Sequence, residues 1–207
     1  MPRNSIDVLP PRFAAAAVSE RLTTAIELLS ASNEAMQLAG IYALESLRRD
    51  DPESGGTVVE ILSSFVRRHA AFDPVISVRR RAGIHVQAAL SAIGAKPRDV
   101  RWENRPLDLH GIAIREAYLP LVHFERAFLY DCDFEGALLV GARLEGAWLA
   151  RTNLHNANLD EAHLEGADLS DVHHLTPSQL TLAFVDESTR LPRTLNVAAV
   201  SRRSGFG

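Results

Sequence analysis

Residues 107–171 read LDLHG IAIRE AYLPL VHFER AFLYD CDFEG ALLVG ARLEG AWLAR TNLHN ANLDE AHLEG ADLSD when they are divided into fives. The third residue of all 13 units is large and apolar. The first residue is alanine in eight units, and in the other five it is Leu107, Ile112, Val122, Cys132 or Thr152. A helix repeats every 3.6 residues and a strand every two, so neither keeps a period of five. The pattern predicts a chain that turns a corner every five residues.

Several units, among them TNLHN (152–156), ANLDE (157–161), AHLEG (162–166) and ADLSD (167–171), resemble the pentapeptide-repeat family, whose consensus is A-(D/N)-L-x-x. The resemblance implies a right-handed quadrilateral β-helix with four units per coil, in which the first and third side chains point inward. Thirteen units would then make about 3¼ coils, a stack roughly 16 Å tall at the usual strand spacing. The larger first residues near the start predict that another element packs there.

Residues 1–106 are expected to form an α-helical domain. Apolar residues recur at helical spacing, and they predict four antiparallel helices in a bundle or a HEAT-like array. The fourth of these is predicted to begin at Asp73-Pro74 and to end near Gly94. The stretches GIYALESLRRD (40–50) and TVVEILSSFVRRHA (57–70) resemble the helical segment that precedes the repeats in actinobacterial members of the family.

The repeat is expected to end at residue 175, because Val172-His173-His174 places a histidine where the large apolar residue should be. Thr176-Pro177-Ser178-Gln179 then has the order of a capping box with proline at the first helical position. We expect a capping helix from Pro177 to about Phe184, and a mobile tail from Asn196. The chain as a whole is predicted to be α+β, with residues 1–106, 107–175 and 176–207 as its three parts.

Composition and motifs favour a non-enzymatic protein. The chain is 46% hydrophobic and 23% charged, which is ordinary for a globular protein, and its single cysteine excludes an internal disulfide. No run of 18 apolar residues occurs, so we expect no membrane span and a cytoplasmic protein. The eight histidines lack metal-ligand spacing, and no nucleotide-binding or nucleophile motif is present. We therefore predict no catalytic, cofactor or metal site, and a buried structural role for Cys132.

Charge is unevenly distributed along the chain. Residues 107–171 carry 4 basic and 12 acidic side chains, a balance of −8, whereas residues 1–106 and 172–207 each have a balance of +2. An acidic segment repels nucleic acid, so direct nucleic-acid binding is not expected. The basic run Arg79-Arg80-Arg81 is interpreted as a solvated helix face.

Residues 20 apart should lie above one another if each coil has four units. An outward acidic ladder is then predicted from Glu125, Glu145 and Glu165, beside His123, Arg143 and His163. One side of the stack would carry Phe128, Trp148 and Tyr130, and the opposite side would carry Tyr118, Leu138, Val140, Pro120 and Leu121. We predict that one apolar patch packs against residues 1–106 and that the other contacts an unidentified protein partner or a second copy, a homodimer being the simpler case.

Two functions fit these features. The first is a protein-interaction scaffold built on the repeats. The second is an acidic DNA mimic that binds a type II topoisomerase, because the resemblance extends to gyrase-protecting members of the family. The short stack favours the scaffold, since so few coils imitate little of a DNA duplex.

Overall fold

The computed structural model describes residues 11–73, 81–95 and 106–195. Four α-helices come first in these ranges: α1 (Pro11–Leu29), α2 (Glu34–Asp50), α3 (Gly55–His69) and α4 (Ile84–Gly94). Short 3-10 helices lie at Pro52–Ser54 and Pro177–Leu180. The predicted N-terminal helices are therefore present, and the repeat follows them. Within these ranges, none of the helices has both the length and the apolar content that a membrane crossing requires.

The helices pack through one apolar stripe each. Leu44 on α2, Leu62 on α3 and Leu90 on α4 are fully buried, which is the pattern that the 3.6-residue period predicts. Asn33 starts α2, since its side chain accepts a hydrogen bond of 2.8 Å from the Ala35 N–H. At Gly40, a Cβ atom would lie 2.8 Å from the Leu29 backbone nitrogen, so this glycine allows α1 and α2 to touch.

The fourth helix begins later than predicted. It starts at Ile84 instead of Asp73-Pro74, and residues 74–80 lie outside the described ranges. Arg79 and Arg80 are among those residues. Arg81 does not lie on a helix, because its backbone forms a bridge with Arg115 and its side chain pairs with Glu116 at 2.6 Å. Pairing with the edge of the repeat thus holds Arg81 outside the helix.

The repeat folds into a β-helix-like coil. Second-position residues form parallel bridges with residues 20 further on, as in the series Asp108, Phe128, Trp148 and Asp168. Four such series exist, one on each side of the coil. We name each side by its five-residue units: the units of side A begin at residues 107, 127, 147 and 167, those of side B at 112, 132 and 152, those of side C at 117, 137 and 157, and those of side D at 122, 142 and 162. Bridge hydrogen bonds such as Leu129 N–H to Trp148 O, at 2.9 Å, join successive coils.

Corners of the coil need left-handed backbone. The fifth residue of the first 12 units has φ between 54° and 70°, and five of these residues are glycine. At Gly141 this conformation coincides with a close approach, because a Cβ would lie 2.7 Å from the Leu121 side chain. Glycine is therefore suited to this corner for two reasons.

The side chains that point into the coil are apolar apart from two, and those two each have a hydrogen-bond partner. The third-position residues are at most 1% exposed. Thr152 replaces alanine at a first position, and its hydroxyl donates to the Leu129 carbonyl oxygen. Cys132 occupies an equivalent position, and its thiol donates to the Leu109 carbonyl oxygen at 3.2 Å. Each polar inward group thus satisfies its hydrogen bond within the coil.

The helical domain caps the first coil. Ala71 forms an antiparallel bridge with Ile112, and the Phe72 N–H donates to the Gly111 carbonyl oxygen at 2.7 Å. On side D the His123 N–H donates to the carbonyl oxygen of Gly94, at the end of α4, at 2.9 Å. Helix and loop backbone therefore occupy coil edges that would otherwise be unpaired.

Large first-position residues lie at this junction, as their sequence positions predict. Ile112 is fully buried, and Val122 is 6% exposed. A Cβ added at Gly94 would lie 2.8 Å from the Val122 Cβ, so valine and glycine fit together where α4 meets the coil.

The C-terminal segment differs from the predicted capping helix. A 3-10 helix covers only Pro177–Leu180, and the chain then rejoins the coil through bridges from Phe184 to His163 and from Arg190 to Asp168. The capping box specifies only a first turn, whereas the open coil edge offers unpaired backbone groups to the residues that follow. The predicted tail from Asn196 lies outside the described residues.

Side chains of this segment fasten it to the last coil. The Gln179 side-chain amide donates to the carbonyl oxygens of Leu154 and Ala157, each at 2.8 Å. Asp186 accepts hydrogen bonds from the Gly166 and Ser188 N–H groups at 3.2 and 3.0 Å. Burial alone would raise the pKa of Asp186, but bonds from Ser188, Gly166 and Thr189 outweigh it and hold the pKa below its usual value.

We predict that Leu139→Asp unfolds the coil, whereas Leu138→Asp leaves it folded. Leu139 is 1% exposed and faces inward, so an unpaired charge there costs about 3–5 kcal/mol or more. Leu138 is 41% exposed on the outer surface of the same unit, and it serves as the matched control. Thermal unfolding followed by circular dichroism measures the difference. Equal melting temperatures for the two variants would contradict the inward assignment of third positions.

Candidate interaction surfaces

Side D carries the predicted acidic ladder, but its carboxylates are interleaved with one arginine and two histidines. Arg143 lies between Glu125 and Glu145, at 3.2 and 2.7 Å. His123 lies 2.9 Å from Glu125, and His163 lies 3.4 Å from Glu165. The hydrogen bond from Arg143 to Glu145 raises the pKa of the guanidinium, so Arg143 keeps its charge. Sequence position predicts this column, and the structure adds that its charges are paired.

Sides A and B also pair their carboxylates. Arg151 contacts both oxygens of Asp131 at 2.6 Å, and this bond is the main reason that the pKa of Asp131 lies below its usual value. Arg115 lies 2.5 Å from the carboxylate of Asp133, a residue that is only 2% exposed. Bidentate arginine–carboxylate pairs fix both side chains in place. The formal charge of the repeat therefore overstates the negative potential of these sides.

Side A carries an aromatic patch formed by Phe128, Tyr130 and Trp148. The Phe128 and Trp148 rings lie 5.4 Å apart in an edge-to-face arrangement. Tyr130 stacks on His110 at 4.8 Å. Trp148 is 58% exposed, and Asp108 and Asp168 lie at the two ends of the patch in the same column. A large apolar group with a charged rim is typical of a protein interface.

Side C carries an aliphatic patch that includes Tyr118, Leu138 and Val140. Tyr118 is 63% exposed and Leu121, at the neighbouring corner, is 71% exposed. The Gln87 side chain joins this side to α4, because it accepts from the Tyr118 N–H at 2.9 Å and donates to the Tyr118 carbonyl oxygen at 2.6 Å. Sequence spacing places the patch correctly but gives no sign of the Gln87 contact.

The prediction that the helical domain covers one of these patches is wrong. The helices pack on the end of the coil, at Ile112, Val122 and the corner glycine Gly111, and not along a side. Trp148 and Tyr118 accordingly both stay more than half exposed. Two unpartnered apolar surfaces remain instead of one.

Reactive chemistry is not assembled in the described residues. Burial raises the pKa of the Cys132 thiol to about 12, so the group is neutral and weakly nucleophilic. In the part of the chain that the structure describes, no three His, Cys, Asp or Glu side chains are placed to hold a metal ion. His155 and His174 border an open groove of about 510 Å³, with ring centroids 5.5 Å apart. Asp160 also lines this groove, together with the amide and hydroxyl side chains of Asn156, Asn158, Thr176, Ser178 and Gln179.

Comparison with known families identifies the repeat. The model of pentapeptide repeats matches residues 137–173 with eight copies. Together with the 20-residue bridge spacing and the left-handed corners, this match makes the chain a member of the pentapeptide-repeat family with helices N-terminal to its repeats. The comparison with curated proteins found no match.

Solved structures of pentapeptide-repeat proteins are among the matches. One is from the thylakoid lumen of Arabidopsis thaliana, at 27% identity and a TM-score of 0.34, and the match covers 44% of this chain and 57% of that one. Another is from the cyanobacterium Cyanothece 51142, at 30% identity and a TM-score of 0.25, covering 44% and 67%. QnrB1, a plasmid-mediated fluoroquinolone resistance protein, matches at 14% identity and a TM-score of 0.20, covering 42% and 52%. The chain thus spans less than two thirds of the first of these proteins.

We predict that Cys132 in the folded protein does not react with a thiol reagent at pH 8. With a pKa of about 12, the thiolate fraction at that pH is on the order of one in ten thousand, and the residue is 3% exposed. Labelling with iodoacetamide, followed by mass spectrometry, should be complete only after guanidinium is added. Complete labelling of the native protein within minutes would contradict the buried position.

Proposed function

We propose that this protein is a non-enzymatic scaffold that binds other proteins through the sides of its repeat. In this proposal residues 107–175 are a right-handed quadrilateral β-helix, residues 1–106 cap its start, and residues 176–207 close its end. The observation that carries the proposal is the exposure of Trp148 on side A and of Tyr118 and Leu121 on side C. Monomeric proteins rarely expose apolar side chains that are gathered in this way, and such patches usually mark interaction surfaces.

Rigidity makes the coil suited to this role. Every second-position side chain stands on a backbone bridged to the coils above or below it, so its direction is fixed before a partner arrives. A surface ordered in advance loses little conformational entropy on binding. Trp148 and Tyr118 belong to residue types that often supply most of the binding energy.

Affinity capture from an extract of the organism that encodes the chain tests the proposal. Wild type should retain a defined protein in stoichiometric amount, and Trp148→Ser or Tyr118→Ser should lose it. Tyr42→Ser is the matched control, because Tyr42 is 59% exposed but lies on α2. The proposal fails if quantitative mass spectrometry finds no protein whose recovery separates the patch variants from wild type and Tyr42→Ser.

The second candidate function is an acidic DNA mimic that binds gyrase. The net charge of −8 on residues 107–171 favours it. It has less support than the scaffold, because a duplex presents unpaired phosphates at regular spacing, whereas Arg143, Arg151 and Arg115 pair with the carboxylates beside them. The small height of the stack further reduces its likeness to a DNA duplex.

We predict that the protein does not inhibit DNA supercoiling by gyrase at micromolar concentration. Paired carboxylates on sides A, B and D leave too little negative potential for competition with DNA. Titration into a supercoiling assay measures this directly. Strong inhibition that weakens with added salt, and that disappears when Glu125, Glu145 and Glu165 are changed to Gln, would instead favour the DNA mimic.

A further inference from the structure

Side C concentrates the exposed apolar surface of the molecule. Ten large apolar side chains are exposed in the described part of the chain, and three of them belong to side C units: Tyr118, Leu121 and Leu138. Two more lie near the ends of this side, Ile84 on α4 and Leu182 in the closing segment. We call these five residues the side C strip. Apolar residues scattered singly are normal on a surface, but a column of them on one side is not.

Hydrogen bonds and one close contact place the strip residues at successive levels of the stack, with Asn158 and Glu161 between Leu138 and Leu182. Ile84 precedes Gln87 by one turn of α4, and Gln87 is bonded to the Tyr118 backbone in both directions. Leu121 lies over Gly141 at the next corner along the stack. Higher still, the Leu182 carbonyl oxygen accepts from the N–H of Glu161, the corner residue of the following coil. The strip therefore runs from the helical cap to the closing segment.

Charge distinguishes this strip from the other sides. Asp160 and Glu161 occupy the fourth and fifth positions of the side C unit 157–161, next to Leu182. Within the described ranges, neither carboxylate pairs with an arginine, lysine or histidine, whereas most carboxylates on sides A, B and D pair with an arginine. The strip thus has apolar side chains beside two carboxylates that form no ion pair within the described residues.

We infer that the side C strip binds a basic amphipathic segment of a partner protein. The inference rests on the scaffold function proposed above and names the chemistry of its partner. Apolar side chains of the segment would contact Tyr118, Leu121 and Leu138, and a lysine or arginine would pair with Asp160 or Glu161. Complementary charges at the rim of an apolar contact select the partner and speed its association.

Dimensions of the strip favour a short helix as the bound segment. Three strand spacings separate the levels of Tyr118 and Leu182 and cover roughly 14 Å, which is the length of about 9–10 helical residues. A second copy of the chain is a poorer match, because an isologous contact would bring the same two carboxylates and no unpaired cation from the strip.

Fluorescence anisotropy with a defined probe tests this inference. The probe is a labelled peptide of about 14 residues, in which leucine and lysine alternate with helical periodicity. One control peptide has glutamate in place of lysine, and another has the leucine–lysine composition in scrambled order. We expect the basic amphipathic peptide to bind, and both control peptides to bind at least about tenfold more weakly.

Variants locate the binding to the strip. Leu121→Asn removes an apolar group at φ 58°, a backbone conformation that asparagine tolerates, and Asp160→Asn combined with Glu161→Gln removes the charges. Each should weaken binding by about tenfold, and the charge variant should also lose most of the dependence on salt. Tyr42→Ser on α2 and Asp171→Asn on side A are the matched controls and should bind as wild type does. Circular dichroism establishes that every variant is folded.

Contrary outcomes are well defined. Equal binding of the acidic or scrambled peptide, or an equal loss of binding in Tyr42→Ser or Asp171→Asn, would overturn the inference. So would a dimer in light scattering that Leu121→Asn converts to a monomer, since a second copy would then occupy the strip. A natural partner that is lost in Trp148→Ser but retained by Leu121→Asn would leave the scaffold function standing and would remove only this inference.

Discussion

Stacking of inward side chains between coils is the interaction on which the rest of this structure depends. Each unit buries one large residue at its third position, and most units bury a small residue at the first. Twenty residues later the chain returns to place the next pair above them. The left-handed corner makes this return possible, because it turns the backbone without using up a core position. Burial of the leucines, together with the bridge hydrogen bonds between coils, stabilises the column as one unit.

A stacked column has two open ends, and each is closed by different chemistry. At the start, Gly94 and Ala71 bring helical-domain backbone against the first coil, so the two parts share a single hydrophobic core. At the end, Gln179 and Asp186 replace missing coil partners with side-chain hydrogen bonds. Because the helices pack against the first coil, they do not cover the sides of the later coils. This division leaves the outer surfaces of the repeat exposed.

Outward side chains form straight columns, because the period of the coil is fixed. On sides A, B and D these columns place arginine or histidine beside carboxylates, and the formal negative charge is largely compensated where it stands. Side C differs, since its first two coils expose Tyr118, Leu121 and Leu138, and its carboxylates at 160 and 161 form no ion pair within the described residues. The surface that is suited to a partner is therefore defined by what the columns leave unpaired.

The sequence by itself determined the period, the inward positions and the columns, since a five-residue repeat fixes which residues meet 20 positions apart. It also indicated the N-terminal helices and the bulky junction residues Ile112 and Val122. Only the tertiary structure decided where α4 begins, how residues after Leu180 rejoin the coil, and which sides stay open. Those outcomes depend on competition for unpaired backbone at the two ends of the column. No local pattern encodes that competition, because the groups that compete are brought together only when the coil has formed.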